Sequence, residues 1–186
     1  MSDGWVGAAV PKGADTVLIS GGAPGADAAF DALAHARGWP AVHFSFPGHG
    51  SSPLPEARRV LLADAELLRI DPTVQRTAQA LGLSVTPRTH AWRLAARSVL
   101  QALVADSMIA VATLGPAGIE GGTAWSVTAF RDRGGGPLWL FDQATERWVR
   151  GCDGWTPSDA PEAKGVFAGV GARELTAAGA AAIASL

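Results

Sequence analysis

The stretch that most constrains the fold is residues 16–37. A short β-branched run, Thr16-Val17-Leu18-Ile19, leads into Gly21-Gly22-Ala23-Pro24-Gly25, and the glycines lead into residues 26–37. There Ala29, Phe30, Leu33 and Ala36 recur on one helical face, with Gly38 placed as a C-cap. Residues 41–46 (AVHFSF) then read as a second strand. Strand, helix and strand within about 30 residues make one βαβ unit, with parallel strands and a right-handed crossover.

The rest of the chain repeats this alternation. Residues 47–55 (PGHGSSPLP) read as a loop and residues 56–70 as a helix. Asp71-Pro72 offers an N-cap and a first-turn proline to a helix reaching about residue 81, and residues 82–89 form a connector. Trp92, Ala95, Ala96, Val99, Leu100 and Leu103 mark an amphipathic helix. Residues 107–114 (SMIAVATL) predict a buried strand, GPAGIEGG a loop, and residues 123–133 a helix. Residues 137–141 (PLWLF) predict a strand that turns back as a hairpin through Trp148, followed by an irregular segment over 151–165. Residues 166–170 predict one more strand and 174–185 a closing helix. With no repeat and no boundary, the expectation is a single domain over 1–186. Its fold class is α/β: a Rossmann-like three-layer sandwich with a mostly parallel central sheet.

Composition removes several function classes. Hydrophobic residues at 48% and charged residues at 17% suit a compact domain. The net charge of -2 gives no footprint for nucleic acid, so no sequence-specific nucleic-acid partner is expected. Cys152 is the only cysteine, which excludes an intrachain disulfide and a cysteine-based zinc site. The four histidines lack metal-ligand spacing, so no metal is expected. No apolar run of about 18 residues and no basic-then-apolar N-terminus appears, which predicts a cytoplasmic protein without a membrane partner. The tryptophans fit a homo-oligomer surface.

The chemistry concentrates in two glycine-rich loops. In Gly21-Gly22-Ala23-Pro24-Gly25-Ala26-Asp27 the glycines allow close backbone approach, and the following helix N-terminus favours an anion. No Lys-Ser/Thr closes the loop, so it is not a Walker A motif, and its spacing is not G-x-G-x-x-G. The second strand ends at Ser45-Phe46-Pro47, where an NAD-binding unit would carry a ribose-binding acid. The second loop, Gly118-Ile119-Glu120-Gly121-Gly122-Thr123, also links a buried strand to a helix. Thr123 is placed to cap that helix and to donate its hydroxyl to phosphate. Both loops are expected at the carboxyl edge of the sheet, facing each other across a crevice.

Further candidates surround them. Arg93, Arg97 and Gln101 form one helical stripe, read either as an arginine clamp on phosphate or as a solvated face. Asp27 favours the helix dipole, or contacts ribose or metal. Asp142 and Gln143 end a strand at the ligand edge, touching ligand or opening the hairpin turn. His43 reads as a strand residue with a structural partner, and His49 as a loop residue that is solvated or closes over a ligand. No G-x-S-x-G serine signature is present.

The segments SGGAPGADAAFDALAHARGWP and EGGTAWSVTAFRDRGGGPLWLFDQ resemble the SLOG superfamily of Rossmann-like proteins. It includes the LOG phosphoribohydrolases, DprA, the YpsA-like proteins and proteins assigned as molybdenum-cofactor carriers. The YpsA-like pattern is matched at residues 21–27, 97–106, 121–123 and 137–143, and least matched over 47–87. The resemblance implies a nucleotide-like ligand held by the two loops, with no further cofactor assigned; the residues expected to bind it are Gly21, Gly22, Ala23, Gly25, Asp27, Arg97, Gly121, Gly122, Thr123 and Asp142. The LOG enzymes carry a catalytic Glu three residues after the Thr of their second loop. Here Ala124, Trp125 and Ser126 follow Thr123, and the nearest acid is Glu120. The leading expectation is a nucleotide-binding sensor or carrier. The alternatives are a nucleotide N-glycosidase with Glu120 or Asp27 as acid/base, a molybdopterin carrier, or a scaffold with a vestigial pocket.

Overall fold

The computed structural model describes residues 10–49, 58–151 and 154–186. Cys152 and most of the 47–55 loop lie outside them. The strands are β1 (Thr16–Ser20), β2 (Ala41–Ser45), β3 (Arg58–Leu61), β4 (Ser107–Ala112), β5 (Leu114–Gly115), β6 (Gly118–Ile119), β7 (Leu138–Asp142), β8 (Arg147–Gly151), β9 (Trp155–Pro157) and β10 (Gly165–Gly171). The helices are α1 (Ala26–Arg37), α2 (Asp64–Leu67), α3 (Asp71–Ala80), α4 (His90–Val104), α5 (Thr123–Asp132) and α6 (Ala177–Ala184). The eight-stranded sheet has the order β3-β2-β1-β10-β4-β7-β8-β9. Every pairing from β3 to β7 is parallel, and β8 and β9 are antiparallel. The fold is a mostly parallel α/β sandwich, as the alternation predicts.

Side chains alternate across the sheet with a period of two. Val17, Ile19, Met108, Ala110, Ala168 and Val170 face one core, packed by Trp92, Val99 and Leu100 of α4 and Val127 and Phe130 of α5. Leu18, Ile109, Val111 and Phe167 face the other, packed by Phe30 and Leu33 of α1 and Ile183 of α6. Helices thus cover both faces, so the parallel strands are apolar throughout.

Several expectations need correction. Residues 58–61 are not helical: they pair with β2, Phe44 opposite Val60, and Leu62 N–H donates to Ser45 O at 2.8 Å. Four residues, Arg58-Arg59-Val60-Leu61, are too few to show a helical or a strand period, and pairing along β2 decides it. Among the described residues of 56–70, helix is limited to α2 and a 3-10 turn, Leu68–Ile70. Asp71 is the first helical residue rather than the N-cap. Its Oδ1 instead accepts from Trp92 Nε1 (2.6 Å) and Gln75 Nε2 (3.0 Å). Thr123 does not cap α5, whose N-cap is Gly122. The segment GPAGIEGG is not plain loop, because β5 and β6 pair antiparallel within it. Within 151–165, β9 extends the sheet beside β8.

β10 lies between β1 and β4, so the strands that carry the two glycine-rich loops are not adjacent, although residues of both loops line one cleft. The turn after β10 stands between them as a third loop of the edge. Close approach fits β10 into this slot: a β-carbon on Gly169 would lie 2.7 Å from both Leu18 Cδ1 and Phe30 Cγ.

Candidate ligand cleft

A cleft of about 800 Å³ opens at the carboxyl edge, where parallel α/β sheets present their ligand-binding loops. Ala23, Pro24 and Asp27 come from the first loop and the start of α1. Thr113 and residues 120–123 come from the segment after β4, and residues 171–174 and Thr176 from the end of β10 and beyond. The remaining wall is α4, which turns Arg97, Ser98 and Gln101 inward. Val85, Leu94 and Trp125 give one side an apolar character.

The first loop is held by its own polar contacts. Gly22 N–H donates to Ser20 Oγ (3.2 Å) and Ala23 N–H to Asp27 Oδ2 (3.2 Å). Ala26 N–H donates to Ala172 O at 3.0 Å, tying the start of α1 to the β10 turn. Gly25, at φ 90°, leaves no room for a β-carbon against the Ala172 and Arg173 carbonyls. Gly22, at φ 63°, stands over His43, whose Nδ1 would lie 2.7 Å from a β-carbon there. His43 has the structural partner its strand position predicts, because its Nε2 lies 2.7 Å from Asp31 Oδ1 and both side chains are buried.

Arg97 reaches under this loop from α4. Its Nη1 donates to Gly21 O at 2.8 Å and lies 3.9 Å from Asp27 Oδ2. Burial works against its charge, and nearby Arg173 adds to that, while Asp27 opposes both. Burial raises the Asp27 pKa above the ordinary carboxylate value; Arg97 and the Ala23 N–H only partly offset it. Arg93 has a different role, a two-bond pair with Asp64 at 2.6 and 2.7 Å that joins α4 to α2.

Three buried polar atoms around the cleft have no hydrogen-bond partner among the described residues: Arg97 Nε, Gln101 Nε2 and Thr123 Oγ1. The residues are 8%, 1% and 4% exposed. An unsatisfied buried polar group costs about 1–3 kcal/mol. All three atoms can donate, so together they suit an acceptor-rich group.

The expected site residues divide. Ala23, Asp27, Arg97, Glu120, Gly121, Gly122 and Thr123 line the cleft. Gly21, Gly22 and Gly25 shape the loop behind it, and Asp142 is outside the lining. Asp142 accepts from Leu114 N–H (3.0 Å), Ala144 N–H (3.2 Å) and Thr145 Oγ1 (2.7 Å). Burial alone would raise its pKa; these bonds outweigh burial and hold it low. Gln143 bridges to the β10 turn, accepting from Thr176 N–H (2.8 Å) and donating to Glu174 O (3.2 Å). Arg173 and Thr176 were not legible as site residues, because nothing local in the sequence places β10 at the centre. Gln101 had a signal, its i+4 spacing from Arg97.

No protein-family model and no curated protein matches the chain. Two solved structures are similar in fold. One is a "putative molybdenum carrier protein" from Syntrophus aciditrophicus SB, with TM-score 0.47 and 17% identity over 71% of this chain and 66% of that one. The other is the Bordetella bronchiseptica enzyme WbmH in complex with NAD+, with TM-score 0.40 and 13% identity over 69% of this chain and 55% of that one. The chain thus spans less than two thirds of either protein's length. No helix among the described residues is long and apolar enough to cross a membrane, and no described group of three or more His, Cys, Asp or Glu is arranged to hold a metal.

Proposed function

We propose that this chain is a SLOG-type domain that binds a nucleotide or nucleotide-derived phosphate ligand in the cleft, as a sensor or carrier. The observation that carries the reading is that Arg97, Gln101 and Thr123 line one edge cleft and each holds a buried donor, Nε, Nε2 and Oγ1, with no partner among the described residues. A phosphate supplies acceptor oxygens for such donors, and an arginine favours its charge. The apolar side at Leu94 and Trp125 suits a base or another flat ring. The expected contacts from the first loop, Gly121, Gly122 and Asp142 belong to the same reading, as do a homo-oligomeric state and a cytoplasmic location.

Calorimetric titration of the pure protein with AMP, other nucleoside monophosphates and ADP-ribose tests it. The expected result is saturable binding that Thr123→Val and Gln101→Leu each weaken about tenfold, the loss of one hydrogen bond to a charged group. No binding of any of these compounds would overturn the reading.

A second reading is cleavage of an N-glycosidic bond. It is favoured by Asp27, a cleft-lining carboxyl whose pKa burial raises above the ordinary carboxylate value, the direction a general acid needs. Glu120, exposed at the rim, is its candidate partner. Ser126, which follows Thr123 where the LOG pattern carries Glu, donates its hydroxyl to Ser98 O at 3.1 Å. Base released from AMP or ADP-ribose, and lost in Asp27→Asn and Glu120→Gln, would establish cleavage. Binding without release favours the sensor or carrier.

A further inference from the structure

The wall that α4 gives to the cleft changes character along its length. Ala91, Leu94, Ala95, Ser98 and Gln101 all line the cleft, at the spacing of one helical side. The helix rises about 15 Å from the first of these residues to the last. At the Gln101 end, with Arg97 beside it and Thr123 on α5, lie the three buried donors without partners among the described residues. At the other end the lining is apolar: Ala91, Leu94 and Ala95 of α4, Val85 of the connector before it, and Trp125 of α5.

Trp125 is held in place from several sides. α4 packs on α5, and Ser126 Oγ donates to Ser98 O at 3.1 Å, tying the first turn of α5 to the middle of the α4 wall. Trp125 N–H donates to Gly122 O at 3.2 Å. The residue is half-buried, packed in part against the core while it lines the cleft. The connector is fixed as well, because Gln75 Nε2 of α3 donates to Val85 O at 3.3 Å. Methyl groups at Ala91 and Ala95 keep this end of the cleft open beside the indole. Ala91 is exposed, so the core does not require a small side chain there.

We propose that Trp125 and Ala91 are specificity-determining residues: the planar ring of the ligand stacks on Trp125 beside the alanines of α4, so the cleft takes a nucleotide in preference to a sugar phosphate that lacks the base. This rests on the reading of the cleft as a nucleotide site and adds which residues recognise the base and at which end it lies. The buried donors fix the orientation. A ring at the Gln101 end would leave Gln101 and Thr123 unpaired, and a phosphate at the Ala91 end would lose the polar partners it needs. An aromatic face recognises a base through its π face, whatever the base.

The test compares AMP and ribose 5-phosphate by calorimetry on the intact chain and on Trp125→Leu, Trp125→Phe and Ala91→Leu. The intact chain is expected to bind AMP at least about tenfold more tightly than ribose 5-phosphate, the contribution of one base stacked on an aromatic side chain. Trp125→Leu is expected to remove that preference by weakening AMP alone, and Trp125→Phe, which keeps an aromatic face, to retain most of it. Ala91→Leu guards against a folding defect, since an exposed first-turn position accepts leucine at little cost to the helix. Its added bulk is expected to weaken AMP about tenfold or more and to leave ribose 5-phosphate as it was, the loss of that same stacked base. Equal affinity of the intact chain for the two ligands would overturn the base slot and leave the cleft reading standing. So would Trp125→Leu binding AMP as well as Trp125→Phe does, or Ala91→Leu binding AMP as the intact chain does. Binding of neither ligand would instead remove the cleft reading on which the slot rests.

Discussion

At the scale of single residues, the fold gives Gly22 and His43 a joint role. Gly22 takes a left-handed φ of 63° directly over the buried His43–Asp31 pair. Gly22→Val combines a left-handed β-branched residue, worth about 1–3 kcal/mol of strain, with a clash against the imidazole. We expect a lower melting temperature and loss of nucleotide binding; retained affinity would reduce the first loop to a simple turn. His49 gives a pH signature with a defined sign. Its pKa falls from 6.5 to about 4 on folding, so the folded state binds fewer protons in that interval. The stability tied to its neutral form is present above pH 6.5 and lost as pH falls toward about 4. Chemical denaturation across this range should show a flatter acid loss for His49→Gln than for the parent chain. Parallel curves would mean that His49 is not held neutral.

At the scale of elements, what could be read in advance depended on whether the signal was local. The bounds of α1 were legible because its glycines and its apolar face lie within the segment itself; Gly38, at φ 67°, closes it as the sequence suggests. The strand at 58–61 was not, because its identity comes from pairing with β2 some 15 residues earlier. Asp71 reads locally as a cap, yet its carboxylate serves the Trp92 indole 21 positions away, at 2.6 Å. Trp92 is fully buried on α4, so Asp71→Ala leaves its N–H unsatisfied, at a cost of about 1–3 kcal/mol. Urea denaturation should show this, together with weaker ligand binding, because α4 also carries Arg97 and Gln101. An unchanged midpoint would show that the indole has another acceptor.

At the scale of the whole molecule, the chain's last strand completes the middle of the sheet. β10 joins the β1 half to the β4 half, and its turn supplies Arg173 and Thr176 to the cleft. The two glycine-rich loops were visible as motifs; that a third loop stands between them was not, since strand order is a global property of the packed sheet. The same arrangement explains how distant segments leave three donors without partners among the described residues. Arg97 and Gln101 arrive on α4 and Thr123 on α5, and the cleft between them is where acceptors are lacking. The most direct measurement is a crystal structure of the chain soaked with AMP. Phosphate oxygens are expected about 2.7–3.2 Å from Arg97 Nε, Gln101 Nε2 or Thr123 Oγ1. AMP bound elsewhere, or these atoms satisfied by protein groups in a closed cleft, would contradict the reading of the cleft as a nucleotide site.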